Sequence, residues 1–139
     1  MNLLDQIKLE EGKRLKPYRD QMGWLTIGYG RNIDVNGISG DEAELMLAND
    51  LARFSQEVHV RLPWTDSIGD ERRAVMVGMA MNMGTAGLLT FKKMLRLAEM
   101  GDWDGAAAEI ISSRYHEQLP ERAARYAAQL STGQWARYE

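Results

Sequence analysis

Residues 17–32 of the chain, PYRDQMGWLTIGYGRN, contain the pattern that decides the fold. One proline and three glycines separate short runs of aromatic and β-branched residues, which is typical of strands joined by tight turns. Residues 18–20 and 24–28 are therefore predicted to form two strands around a turn at residues 21–23. A third short strand is expected near residues 32–34, so this part of the chain predicts a small β-hairpin sheet.

Two polar residues near the turn of this hairpin are candidates for chemistry. A loop at residues 21–23 would place Asp20 opposite Trp24 and on the same face as Thr26, within reach of one shared water molecule. An aspartate before a turn also commonly accepts hydrogen bonds from its own backbone, so the position of Asp20 has an alternative, structural explanation.

A helix is predicted over residues 1–12, because Asn2 is a suitable N-cap and Gly12 a suitable stop. Glu11 lies closer than Glu10 to the apolar stripe of this helix, which consists of Leu3, Leu4 and Ile7. A carboxylate beside apolar surface loses hydration, which suits a general acid that must hold a proton. Glutamates at helix ends are more commonly solvated, so Glu11 also has an alternative explanation.

Helices are predicted for the rest of the chain. Ser39 and Glu42 form a capping box before a long helix whose apolar residues recur every three or four positions, and Pro63 ends it. The helix that starts near residue 67 is apolar almost all round, which predicts a buried central helix. Shorter helices are expected at residues 90–100, 102–114 and 120–130, with a last helical turn at residues 135–138.

The 139 residues are predicted to form one domain with a single core. Residues 13–38 are expected to form a small β lobe, residues 39–59 a connecting helix, and residues 1–12 and 60–139 a larger helical lobe. The predicted fold class is therefore α+β, mostly α. A glycine-rich hairpin beside a helical body would create a cleft between two lobes, which is where a binding site is expected.

Composition excludes several classes of protein. Apolar residues make up 45% and charged residues 27% of the chain, which is the balance of a globular protein. The chain has no cysteine and its two histidines are far apart, so no metal or other cofactor is expected. The formal net charge is −3 with no strongly basic segment, so nucleic acid is not an expected partner. Membrane insertion is not expected either, because the longest nearly uncharged stretch, residues 74–91, contains Asn82 and several glycines.

Together, Glu11, Asp20 and Thr26 give two carboxylates and a hydroxyl beside the predicted cleft, the residue types that hydrolyse a glycosidic bond. The run that contains them resembles the signature of the phage-type lysozymes, glycoside hydrolase family 24: Glu11-Gly12-x-x-Leu15-x-x-Tyr18-x-Asp20-x-x-Gly23-x-x-Thr26-Ile27-Gly28-Tyr29-Gly30. The spacing Glu-x8-Asp-x5-Thr is the catalytic pattern of that family. The resemblance continues in order through nearly the whole chain, at residues 66–74, 82–84, 87–91, 103–107, 113–115, 118–123 and 132–135.

The resemblance implies a lysozyme-like fold and an endo-acting muramidase. Such an enzyme cuts the β-1,4 bond between N-acetylmuramic acid and N-acetylglucosamine in peptidoglycan. The resemblance implies that Glu11 is the general acid, that Asp20 activates or orients the attacking water, and that Thr26 holds this water. Family members of this type invert the anomeric configuration, which requires room for a water between the carboxylates.

Four further residues are expected to contact the substrate. The resemblance implies that Asn82 lines the cleft, where the family more often has Gln, and that Gln118 lies on a segment that faces sugar and peptide. Arg122 matches the family arginine that pairs with the catalytic glutamate from the helical lobe. Trp24 begins the strand that carries Thr26, which makes it a candidate for stacking on a sugar.

The chain departs from the family pattern in two further places. Arg31 follows Tyr29-Gly30 where the family commonly has His, which puts in question the structural ion pair that the histidine makes. The segment between Gly30 and Ser39 is short, so a β lobe little larger than a hairpin and an open cleft are expected.

A chain of this kind is expected to be a phage or prophage endolysin and a monomer, synthesised in the host cytoplasm. It would reach the cell wall, in the periplasm, through the pore of a separate holin, and peptidoglycan would be its partner. One alternative is a lytic transglycosylase, which needs a glutamate but no water-activating aspartate, so Asp20 disfavours it. The other is an inactive peptidoglycan-binding or structural virion protein, which the intact set of three residues disfavours.

Overall fold

A computed structural model of the chain describes residues 1–138. The chain divides by its internal contacts into two compact units, Met1–Met46 and Leu47–Glu139. The first contains a helix and a small sheet and the second is helical, so the predicted α+β class, mostly α, is confirmed. This division places the N-terminal helix with the sheet, and the expected grouping of residues 1–12 with residues 60–139 stays a prediction.

The first unit opens with α1 (Leu3–Glu11), whose two ends are as the sequence predicts. The side chain of Asn2 accepts a hydrogen bond from the backbone N–H of Asp5 at 2.9 Å. Gly12 ends the helix with a positive φ of 69°, a conformation that glycine adopts at little cost. The chain therefore leaves α1 directly into the first strand.

Three antiparallel strands follow in the order β1 (Arg14–Arg19), β2 (Leu25–Gly28) and β3 (Arg31–Asn32). Tyr18 pairs with Thr26 across the first hairpin. The backbone N–H of Asp20 donates to the carbonyl of Trp24 at 2.9 Å, so the loop holds the three predicted residues. This register places Asp20 and Thr26 on the same face of the hairpin, as the sequence indicates.

The third strand begins and ends earlier than predicted. The side chain of Asn32 accepts a hydrogen bond from the N–H of Val35 at 3.0 Å and so caps a short helix, α2 (Ile33–Asn36). An asparagine that can cap a helix competes with strand pairing, which explains why the strand stops at this residue.

The predicted capping box begins the long helix α3 (Gly40–Arg61). The N–H of Ser39 donates to Glu42 Oε1 at 2.8 Å, and the N–H of Glu42 donates to Ser39 Oγ at 3.1 Å. The helix ends before Pro63, as expected. Its apolar stripe is buried only towards the C-terminal end, where Phe54 is half-buried and Val58 fully buried, while Ala43, Leu47 and Leu51 are exposed.

A short 3-10 helix at Pro63–Ser67 and five helices complete the second unit: α4 (Asp70–Leu89), α5 (Lys92–Glu99), α6 (Trp103–Ile111), α7 (Arg114–Gln118) and α8 (Pro120–Thr132). The helix expected at residues 102–114 is interrupted, because Ser113 becomes the N-cap of α7. The last turn expected at residues 135–138 is wrong. Gly133 ends α8 in the left-handed conformation, and the N–H of Ala136 then donates to the side chain of Gln129 at 3.2 Å.

The central helix α4 forms the middle of the core of the second unit, as its apolar composition predicts. Val75, Met76 and Met79 are fully buried there, and side chains from the later helices pack around them. Within residues 1–138, no single helix is long and apolar enough to cross a membrane. Only α4 and α5 taken together pass that test of length and composition, and they meet at a bend of 101°.

Candidate active site

Glu11 is the last residue of α1, and its side chain lies against the turn between β2 and β3. A Cβ atom added at Gly30 would lie 2.8 Å from the carboxyl carbon of Glu11 and would also contact its Oε2. Gly30 has a positive φ of 74°, which favours glycine for a second reason. The backbone of this turn therefore forms a wall beside the carboxylate. Any residue other than glycine at position 30 would displace that carboxylate.

Of the two settings that the sequence leaves open for Glu11, the structure shows the solvated one. Every residue of α1 is exposed, including the stripe of Leu3, Leu4 and Ile7. The carboxylate of Glu11 is therefore open to water, and its placement depends on the contact with the turn rather than on an apolar surrounding.

Asp20 lies at the end of the first hairpin, and its own turn holds its carboxylate. Oδ1 accepts hydrogen bonds from the backbone N–H groups of Met22 and Trp24, each at 2.9 Å. This is the local bonding that an aspartate before a turn favours. The second oxygen, Oδ2, accepts no hydrogen bond from residues 1–138, so a fixed carboxylate oxygen is available to a water molecule.

The backbone of Trp24 joins Asp20 to Thr26. Its N–H donates to Asp20 Oδ1, and its carbonyl accepts the hydroxyl hydrogen of Thr26 at 2.8 Å. Thr26 is only 3% exposed, so its hydroxyl is held in one orientation with its lone pairs left as acceptors. Trp24, directly before β2, is itself 45% exposed. The backbone of Trp24 therefore fixes both Asp20 and Thr26, the two residues that are expected to share a water.

Arg31, the departure from the family pattern, has an ion-pair partner in the first turn of α3. Its Nη1 donates to Glu42 Oε1 at 2.5 Å, and its Nη2 pairs with Oε2 of the same carboxylate. Hydrogen bonding to Arg31, and then to Ser39, lowers the pKa of Glu42 to about 2. An ion pair therefore exists at this position, with an arginine as its cation.

The remaining predicted residues, Asn82, Gln118 and Arg122, lie in the second unit. Asn82 Oδ1 accepts the hydroxyl hydrogen of Tyr115 at 2.7 Å. Burial raises the pKa of Tyr115 to about 12, so this hydroxyl keeps its proton at neutral pH. Gln118 lines a cavity of about 470 Å³ together with Tyr115 and a second one of about 310 Å³ together with Arg122. Gln118 therefore lines both the cavity beside Tyr115, which is the hydrogen-bond partner of Asn82, and the cavity beside Arg122.

The profile of the family described as phage lysozyme matches residues 8–127, which is most of the chain and includes the hairpin, Glu11, Asp20 and Thr26. The chain belongs to the phage lysozyme family. It is accordingly a glycoside hydrolase, a lysozyme-type hydrolase of peptidoglycan.

Three curated relatives of this phage lysozyme align over most of its chain. Probable T4-type lysozyme 1 of Dictyostelium discoideum is 26% identical over 161 positions, which cover 95% of each chain. The pre-baseplate central spike protein of Enterobacteria phage T4 is 26% identical over 99% of this chain and 29% of its own length. An endolysin of Acyrthosiphon pisum secondary endosymbiont phage 1 is 30% identical over 76% of this chain and 72% of its own length.

Sequence reasoning missed two contacts of this phage lysozyme. The contact of Gly30 with Glu11 joins residues on different elements, and the only signal for it was a glycine at a fixed place in the motif. The second contact joins Arg31 to Glu42. The sequence predicts Glu42 as part of the capping box but does not pair it with Arg31. Eleven positions separate the two, and no local rule pairs a strand residue with a helix cap at that distance.

Proposed function

We propose that this lysozyme hydrolyses the β-1,4 bond between N-acetylmuramic acid and N-acetylglucosamine with inversion at the anomeric carbon. Glu11 is the general acid, and Asp20 and Thr26 hold the attacking water. One observation carries the proposal: the backbone of Trp24 fixes Asp20 and Thr26 on one face of the hairpin and leaves Asp20 Oδ2 available.

In each turnover Glu11 loses one proton and Asp20 gains one, and exchange with solvent water then restores both carboxyl groups. Glu11 donates its proton to the glycosidic oxygen as the bond from C1 of the muramic acid to that oxygen breaks. The water oxygen bonds to C1 from the opposite face while Asp20 Oδ2 accepts one water proton. Thr26 gives its own hydrogen to the carbonyl of Trp24, so its oxygen is left to accept the second hydrogen of the water. This mechanism needs about 6.5–9.5 Å between the two carboxyl groups.

Four residues are proposed to bind the glycan strand and its peptides. Trp24 offers an exposed aromatic face for a sugar ring next to Asp20. The side-chain oxygen of Asn82 accepts a hydrogen bond from Tyr115, so the NH₂ group of Asn82 is the part that can donate to substrate oxygens. Gln118 and Arg122 line one cavity of about 310 Å³ and supply N–H donors for the acetamido and carboxylate groups of a muropeptide.

The proposed setting is lysis of a phage host from within. The relative named as an endolysin supports action on the cell wall. We further propose that the protein is a monomer, is made in the host cytoplasm and is released by a holin. The spike-protein relative favours a second candidate, a lysozyme carried by the virion. Mass spectrometry of purified particles separates the two: absence from particles, with host lysis only when a holin is co-expressed, supports the endolysin.

Digestion of purified peptidoglycan, followed by mass spectrometry of the fragments, tests the reaction. We expect saccharides that end in reducing N-acetylmuramic acid. Anhydromuramic ends would identify a lytic transglycosylase, and binding without fragments would identify an inactive cell-wall protein. Proton NMR of the first product tests the stereochemistry, because inversion at a β bond gives the α anomer first.

A further inference from the structure

We infer that the ion pair between Arg31 and Glu42 positions Glu11 for proton transfer, acting through the backbone of Gly30. The inference rests on the proposed role of Glu11 as the general acid and adds a positioning pair to it. Neither Arg31 nor Glu42 needs to touch the reacting atoms. They hold the turn that lies against the acid.

The turn between β2 and β3 is fixed to α1 on one side. Gly30 lies against the side chain of Glu11 so closely that a Cβ at Gly30 would be 3.3 Å from Cγ and 2.8 Å from the carboxyl carbon. One residue earlier, the ammonium group of Lys8 lies over the ring of Tyr29, 5.8 Å from the centroid of that ring. Because Lys8 lies nearly one helical turn before Glu11, the turn contacts α1 at two successive levels.

The other side of the turn is fixed by the ion pair. Arg31 follows Gly30 directly. Its Nη1 donates a hydrogen bond to Glu42 Oε1, and its Nη2 forms an ion pair with Oε2 of the same carboxylate. Two contacts between a planar guanidinium and one carboxylate restrict rotation as well as distance, which a single contact does not. The backbone on the C-terminal side of Gly30 is therefore held in one place.

Glu42 is itself a fixed partner. Its Oε1 accepts the N–H of Ser39 at 2.8 Å, and its own N–H donates to Ser39 Oγ at 3.1 Å. The carboxylate is thus attached to the first turn of α3 by a capping box. The pKa of Glu42 is lowered to about 2, so its carboxylate is ionised in the folded enzyme at neutral pH.

Proton donation depends on where the Glu11 carboxyl lies, because the acid must come within hydrogen-bond distance of the leaving oxygen. An exposed glutamate on a helix end has several rotamers, and the wall formed by Gly30 removes those that need its space. If the turn relaxes, these rotamers return and the fraction of productive complexes falls. Such a loss reduces kcat and leaves KM nearly unchanged.

Four variants test the pair: Arg31→Gln, Arg31→Lys, Glu42→Gln and the double variant Arg31→Gln with Glu42→Gln. All are assayed on soluble muropeptide glycan below their unfolding temperatures. Glu42→Gln keeps an oxygen for the N–H of Ser39, so the start of α3 survives. We expect Arg31→Gln and Glu42→Gln each to lose about 3- to 10-fold in kcat with KM within about twofold, and the double variant to lose no more than either single one. Arg31→Lys, which keeps the charge, should lie between wild type and Arg31→Gln.

Glu44→Gln is the matched control, because it removes the same charge from an exposed residue of the same helix. We expect its kcat to equal that of the wild type. As a second readout, the ¹³C chemical shift of the Glu11 carboxyl carbon should move in Arg31→Gln and Glu42→Gln and stay in place in Glu44→Gln.

Unchanged kcat and an unmoved Glu11 resonance in the pair variants, with only a lower Tm, would overturn the inference and leave the pair a purely structural contact. A double variant whose loss is the product of the two single losses would overturn it as well. Failure of the proposed function gives a different result. Wild-type turnover in a Glu11→Gln variant would show that Glu11 is not the general acid.

Discussion

The hydroxyl of Tyr115 in α7 donates to Oδ1 of Asn82 in α4 at 2.7 Å, and this bond links two helices of the second unit. Tyr115 is 7% exposed, and its ring meets that of Phe91 edge-on with centroids 6.4 Å apart. The bond determines which end of the Asn82 amide is left for a ligand, because the oxygen already has its donor.

Tyr115→Phe should therefore lower the free energy of unfolding. The change removes one hydrogen bond and leaves the oxygen of Asn82 without its donor, which costs about 1 kcal/mol. Urea unfolding followed by circular dichroism measures the difference. Tyr138→Phe, which removes a hydroxyl from a residue that is 77% exposed, is the control and should match wild type. Equal stability of Tyr115→Phe and wild type would mean that the bond contributes nothing net.

The same bond predicts an alkaline loss of stability. Burial raises the pKa of Tyr115 from its ordinary value of 10.0 to about 12. At pH values between these two, the unfolded chain has released the phenolic proton and the folded chain retains it, so stability falls as pH rises. Below pH 10 the contribution is fully present. The stability difference between wild type and Tyr115→Phe should therefore shrink across that window in urea titrations, and a constant difference would contradict the raised pKa.

The sequence predicted those parts of the fold that local rules govern. Asn2, Gly12 and the Ser39–Glu42 capping box each mark a helix end through bonds to neighbours three or four residues away. The loop after Asp20 follows from its length and its glycine. The irregular end at residues 135–138 depends instead on a side chain of α8 that accepts a backbone N–H, and the sequence carries no pattern for such a bond.

The candidate site divides in the same way. Asp20 and Thr26 could be placed on one face because they belong to one hairpin, where alternation and loop length determine the geometry. The exposure of Glu11 and its contact with Gly30 depend on how α1 meets the sheet. Helical periodicity shows only which residues share a stripe and not whether anything covers that stripe, so it could not decide between an apolar and a solvated setting for Glu11.

Glu11→Gln should remove the transferable proton and nothing else, because the amide has nearly the same size as the carboxyl. We expect peptidoglycan hydrolysis to fall by about 10²- to 10⁴-fold, the usual contribution of a general acid. Glu10→Gln changes the same charge on the neighbouring residue and should stay within about twofold of wild type. Reducing ends released from purified peptidoglycan measure both, and a Glu11→Gln enzyme of normal activity would refute its role as acid.

Two substitutions at Asp20 separate its charge from its hydrogen bonds. Asn keeps an oxygen for the N–H groups of Met22 and Trp24, so Asp20→Asn should retain wild-type stability while hydrolysis falls by about 10²-fold or more. Asp20→Ala loses both bonds and should in addition unfold more easily, by about 1–2 kcal/mol. Melting curves and hydrolysis rates are measured on the same samples. An active Asp20→Asn enzyme would show that the carboxylate is needed only for the turn.

Gly30→Ala tests the wall beside Glu11, and Gly37→Ala is its matched control. Both glycines have a positive φ, 74° and 58°, so alanine at either position brings backbone strain of about 1 kcal/mol. Within residues 1–138, no atom lies within 4 Å of a Cβ at Gly37, whereas a Cβ at Gly30 would contact the carboxylate of Glu11. Only Gly30→Ala should therefore displace the acid, and we expect its kcat to fall by about 10-fold or more while Gly37→Ala keeps its rate. If the two variants lost activity equally, in proportion to their loss of stability, the contact with Glu11 would have no part in catalysis.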